Sequence, residues 1–117
     1  MNLAEFYKSM GIDSRQIVFR FQDEKHVMNY LRKFLIDPEY ARLTCSIQQG
    51  DFDSAYHAAH ALMGLCQTLS LKPLQQSSNR LTLALRGNVQ PDAVDALYKK
   101  VAADYQKTIQ AIRGLLA

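Results

Sequence analysis

Between Gly50 and Gly87 the chain reads GDFDSAYHAAHALMGLCQTLSLKPLQQSSNRLTLALRG, and its first half holds one unbroken helical periodicity. Phe52, Ala55, Ala59, Leu62, Cys66 and Leu69 recur at i, i+3, i+7, i+10, i+14 and i+17, a continuous apolar stripe. At about 100° per residue, His60 falls about 130° from the centre of that stripe, and Gly64 and His57 lie close to opposite it. A helix here buries one side and holds an imidazole out on the other, with a bare glycine one turn further on. The histidine sits where something large can reach it.

The totals bound what can surround this helix. With 117 residues the chain is read as one domain able to bury a single modest core. Hydrophobic residues make up 48% and charged residues 21%, a globular balance that argues against disorder. The net charge of +3 is mild and no basic block is present, so nothing asks for nucleic acid or an anionic membrane. Cys45 and Cys66 are too few for a disulfide framework and form no CxxC pair. The opening MNLAEFYKSMG lacks a basic segment followed by an apolar run, and no window approaches 18 consecutive apolar residues. The expectation is a cytoplasmic protein with reduced thiols and no membrane segment.

Residues 2 to 10 read as a short helix ended by Gly11, and Asp13 or Ser14 caps a second through Ile17, Val18 and Phe21. Asp23 opens a third segment in which Val27, Tyr30, Leu31, Phe34 and Leu35 keep the helical period. Asp37-Pro38-Glu39 is a restart signal, so this arm kinks or breaks near 37 and continues to about 49. Asp51 or Asp53 begins the central helix, and Ser70 to Pro73 provides the turn after it. Leu71, Leu74, Ser78, Leu81 and Leu85 mark the next apolar face. The last helix starts at Pro91-Asp92 with Val94, Leu97, Val101, Tyr105, Thr108, Ile112 and Leu115 as its inner row. Short links make neighbouring helices antiparallel. The expected fold is all-α: an antiparallel up-down four-helix bundle over about 23–117, with a cap of short N-terminal helices over about 1–22.

Most catalytic chemistries lack their residues. His57 and His60, three apart, need further ligands to hold a metal, and only Asp53 lies conveniently near, so no metal site is expected. No serine sits on a strained turn in view of a histidine, and no glycine-rich phosphate loop follows a strand. His26 reads as a solvated residue. What remains is the imidazole of His60 as a nucleophile toward a phosphoryl or acyl group. A mid-helix glycine costs about 1 kcal/mol relative to alanine, so Gly64 serves either close helix packing or the approach of a partner. It points away from the apolar stripe, which favours the partner.

The string AAHALMGLCQTLSLKPL, Ala58 to Leu74, resembles the signature of histidine-containing phosphotransfer (HPt) domains, A-H-x-L-K-G followed by small residues and N-L-G-A-x-x-L. The matching positions are Ala59, His60, Leu62 and Gly64, then Leu69 and Leu74. Gly11-Ile12-Asp13, the Arg20 to Asp23 segment, Leu31, Phe34 and Gly50-Asp51 fit upstream, so the resemblance covers nearly the whole chain. It implies that His60 accepts a phosphoryl group from the aspartyl phosphate of a receiver domain and passes it to another receiver. The partners implied are response-regulator receivers or a hybrid histidine kinase. It further implies a chain without kinase activity or a cofactor of its own, the receiver supplying the magnesium ion. Docking would use the surface around His60, with the partner fitting over Gly64, and a monomer is the expected state.

Two positions depart from the pattern. Met63 stands where the family commonly has a lysine thought to offset phosphate charge, and Ser70 replaces a common glycine. By hairpin register the helix opposite His60 offers Asn79, Thr82 or Arg86 to the phosphoryl group, Thr82 lying where many members have glutamine or glutamate. Gln67, one turn past Met63, and His57 complete the candidate set. The alternative reading is an HPt-like helical adaptor that docks a receiver or kinase without being phosphorylated. Retention of the His60–Gly64 pair favours the carrier, and the missing lysine favours the adaptor.

Overall fold

A computed structural model describes all 117 residues as seven α-helices with no strand. They are α1 (Leu3–Lys8), α2 (Ser14–Phe21), α3 (Glu24–Leu35), α4 (Glu39–Gln49), α5 (Phe52–Thr68), α6 (Lys72–Ala84) and α7 (Pro91–Leu116). Four of them start on an Asn or Asp whose side chain accepts a backbone N–H of the first turn: Asn2, Asp13, Asp23 and Asp51. The side-chain and backbone bonds from Arg15 hold the Asp13 carboxyl below its usual range, and those from Ser54 do the same for Asp51. For Asp23 the His26 N–H and then the His26 ring have that effect. These are the cap residues that satisfy a helix's orphan donors.

The chain does not form a simple four-helix bundle. Its architecture is all-α with seven helices, and the stretch 23–49, expected as one bundle arm, is two separate helices. The local chemistry forces the separation. Ile36 and Asp37 donate to Lys33 and Phe34 in i→i+3 bonds that tighten and end α3. Pro38 has no N–H to give, and Asp37 Oδ1 accepts the Glu39 N–H at 2.9 Å to begin α4. The two pieces then part company: α3 packs on α2 and α7, whereas α4 packs on α5.

Helices α4, α5, α6 and α7 follow one another side by side. The α4–α5 corner is Gly50 at φ 70°, a left-handed conformation that glycine adopts without penalty. Ser70 takes the same region at φ 54° in the α5–α6 corner. The 26 residues of α7, about 39 Å at 1.5 Å per residue, run the 42 Å length of the molecule.

One continuous core joins all seven helices. Leu3, Phe6, Tyr7 and Ile17 of the two short N-terminal helices are buried in it beside the residues of α5, α6 and α7. Tyr7 is fully enclosed, and its hydroxyl donates to the Leu69 carbonyl at 2.8 Å, which pins α1 to the end of α5. Burial raises the Tyr7 hydroxyl well above its ordinary range. The α6 face of Leu71, Leu74, Ser78, Leu81 and Leu85 is buried throughout.

Several positions differ from the periodic reading. Tyr30, expected inward, is exposed and lies against the Phe21 ring at 4.8 Å. Leu97 and Tyr105 of the α7 row are only half-buried, while Asp104 is buried and receives Lys100 Nζ at 3.1 Å. The charge of Asp104 is tolerated inside because a cation one turn earlier on the same helix reaches it. No helix is long and apolar enough to cross a membrane.

Candidate functional site

Asp51 sets the start of α5: its Oδ1 accepts the Ser54 N–H at 3.1 Å and its Oδ2 the Ser54 hydroxyl at 2.8 Å. From there Ala55, Ala58, Ala59, Leu62 and Cys66 turn into the core, followed by Leu69. Burial pushes the Cys66 thiol up, so this cysteine is a packing residue and not a nucleophile. The opposite side of α5 carries Asp53, His57, His60, Gln67 and Thr68 exposed, with Tyr56, Met63 and Gly64 half-buried among them.

His60 makes no hydrogen bond to the protein; its one close aromatic neighbour is Tyr56, a turn earlier. The two rings lie nearly parallel, at 12°, with centroids 6.0 Å apart. Tyr56 also receives the edge of the His57 ring at 5.3 Å and 66°. His57 Nε2 lies 3.9 Å from Asp53 Oδ1, an exposed pair worth little to stability. No three His, Cys, Asp or Glu side chains converge on a common point.

Gly64 is not needed for packing within the chain. A Cβ built on it would meet nothing within 4 Å, so no neighbouring helix of this chain needs the glycine for close approach. Side chains on a helix lean toward its N-terminus, so a long residue at 64 would lie back over the turn that carries His60. Its absence leaves the imidazole uncovered from that side. The Gly64 carbonyl accepts the Thr68 hydroxyl at 3.0 Å, and the helix stays regular.

The other sequence candidates fall in different places. Met63 and Gln67 follow His60 on the same open side of α5, and Gln67 makes no side-chain hydrogen bond. Asn79 is exposed on α6 and Arg86 is exposed in the link beyond its end, neither bonded to another side chain. Thr82 does not reach the surface. It is 3% exposed, and its hydroxyl donates to the Ser78 carbonyl at 2.7 Å. The hairpin register that pointed to it counts residues along α6 but not which way they face, and Thr82 lies on the inward row with Ser78 and Leu81.

Tyr56 was missed by the sequence reading, although its i−4 spacing from His60 is one at which helical side chains meet. Also missed was a cleft between α3 and α5 lined by Tyr30, Lys33, Phe34, Asp37, Leu65, Thr68 and Leu69. It opens one residue beyond Gly64. An imidazole placed this way can offer an in-plane lone pair to an electrophile brought by another molecule. No protein-family model, curated protein or solved structure matches the chain.

Proposed function

We propose that this chain is a histidine phosphotransfer protein that accepts a phosphoryl group on His60 from a receiver-domain aspartate and passes it to another receiver. The observation that carries the reading is the pairing of an exposed, unbonded His60 with Gly64 one turn on, where a Cβ would meet nothing. A glycine that no packing within the chain requires is explained by a large partner closing over the imidazole. The signature around His60 supplies the identity of the group transferred. The chain acts as a carrier without kinase activity, and the receiver brings the acidic pocket and its magnesium ion. Its setting is the cytoplasm, where receivers and hybrid histidine kinases present their phosphorylated groups.

Incubation of the full chain with a phosphorylated receiver tests this directly. The expected outcome is acid-labile, base-stable label on the wild-type chain, lost in His60→Gln and kept in His26→Gln. A wild-type chain that takes no label ends the carrier reading. A second reading has one observation in its favour, the methionine at 63 where a lysine would offset phosphate charge. On that reading the same face docks a receiver without being phosphorylated, and the mixture yields a stable complex and no label. For a carrier, Met63→Lys should raise the labelled fraction; an unchanged fraction would show that charge at this position is not limiting.

A further inference from the structure

We infer that His57, once protonated, donates a hydrogen bond to the phosphoryl group on His60 and makes the carrier's load depend on pH. The inference rests on the carrier reading above. A phosphoryl group brings about two negative charges to the helix surface. No lysine or arginine lies between Phe52 and Thr68, so His57 is the one other base on α5. The cations that line the clefts on either side of α5 already have partners. Arg42 Nη1 of α4 donates to Glu39 at 2.7 Å, and Lys33 Nζ of α3 lies 5.1 Å from the centroid of the Tyr30 ring.

Helix geometry puts the two imidazoles within reach of one phosphoryl group. His57 and His60 stand three residues apart, a spacing that brings the Cβ atoms of helical neighbours to about 5–6 Å. Both side chains are exposed, and both rings neighbour Tyr56, at 5.3 and 6.0 Å between centroids. A helical side chain leans toward the N-terminus, so the His60 ring and anything bonded to it lie over the turn that carries His57. His57 is free to turn to it. Its Nε2 lies 3.9 Å from Asp53 Oδ1, too long for a hydrogen bond, and its side chain is 72% exposed.

In the transfer step a lone pair on a His60 nitrogen forms the bond to phosphorus. The bond from phosphorus to the aspartate oxygen breaks, and its electron pair leaves on the carboxylate. His57 takes no part in that exchange of bonds; it takes one proton from solvent and shares it with a phosphoryl oxygen. An anion beside an imidazole favours the protonated ring, so the phosphorylated chain holds this proton more tightly than the free chain. The gain is full below about pH 6.5, where a histidine is ordinarily protonated, and is lost as pH climbs from there toward about 8. Asp53 on α5 and Glu39, Arg42 and Cys45 across the cleft on α4 also face His57. They are unchanged in a His57→Gln chain and cancel when the two chains are compared.

The test mixes wild type, His57→Gln or His57→Lys with the same phosphorylated receiver and reads the equilibrium labelled fraction of each chain. Relative to His57→Gln, wild type should hold about two- to fivefold more label at about pH 6, the effect of one exposed charge pair, and equal label at about pH 8. His57→Lys should keep the excess at both pH values, because its charge does not titrate there. Dispersed amide spectra for each variant report that the fold is intact. Equal label in wild type and His57→Gln at both pH values overturns the role of His57 and leaves the carrier intact. An excess in wild type that does not change with pH assigns the difference to packing and overturns it as well. No label in any of the three chains removes the carrier reading and the role of His57 with it.

Discussion

Two groups of aromatic rings lie on neighbouring parts of this molecule and are built in opposite ways. Between α4 and α7, Tyr40 stacks on Tyr105 at 3.7 Å and 9°, with Tyr98 parallel to Tyr40 at 6.4 Å and Phe34 tilted against Tyr105 at 6.2 Å. Their hydroxyls close a chain. Thr44 donates to the Tyr40 carbonyl at 3.0 Å, so Tyr98 donates to Thr44 at 2.6 Å, and Tyr40 to Tyr98 at 3.4 Å. On α5 the Tyr56 ring lies 5.3 Å from His57 and 6.0 Å from His60 between centroids, yet the His60 nitrogens bond to nothing in the protein. The first group spends its polar atoms on joining two helices. The second keeps them unspent, which is what a group that must react with another molecule requires.

The largest break in that contrast would come from Gly64. Gly64→Leu should place a side chain over the His60 turn and slow transfer from a receiver by about tenfold to a hundredfold, as small misplacements at a reacting centre do. Gly64→Ala should raise thermal stability by up to about 1 kcal/mol, since the position is helical and the Cβ meets nothing. If Gly64→Leu transfers as fast as wild type, the open flank of His60 has no role in docking.

A smaller effect separates the two ring groups by what each is for. Tyr105→Ala should cost about 2 kcal/mol, less than the loss of a fully buried ring because Tyr105 is half exposed. Tyr56→Leu should cost less than about 1 kcal/mol in the same denaturation experiment. Comparable losses at the two positions would mean that the α5 rings are structural as well.

The mildest test is pH. Burial first, and then the Tyr98 hydroxyl, push Tyr40 up to about 12, and burial followed by the charge of Asp37 raises Tyr105. A raised folded value means the folded chain holds these protons more tightly than the unfolded one. Their contribution is therefore fully present below about pH 10, where unfolded tyrosine stays neutral, and is lost as pH climbs from there toward 12. Melting temperature should fall over that window, and fall less steeply in Tyr40→Phe. A flat profile would mean that the α4–α7 stack is not shielded from water.

Much of the site could be read from the residues, because its pattern is local. The stripe from Phe52 to Leu69 assigns an inside to α5, and His60 and Gly64 then stand on the outside whatever the rest of the chain does. The Asp37-Pro38-Glu39 break was equally readable, but its consequence was not. A proline removes a donor at one residue; whether the pieces on either side stay aligned depends on what each packs against, and here α3 turns to α2 and α7 while α4 stays with α5.

Residues at the edge of a stripe mark the limit of such reading. Tyr30 and Thr82 sit at borderline angles on their helices, and one ended outside and the other inside. The order of amino acids settled that this chain is helical and narrowed several helix starts to one of two residues, since caps and 3.6-residue spacing act within a few residues. Only folding in three dimensions settled that seven helices share one core, that the carboxylate of Asp104 ends up buried, and that α3 leaves α4 to pack on α2 and α7. Those outcomes depend on contacts between distant segments, about which periodicity along one helix carries no information.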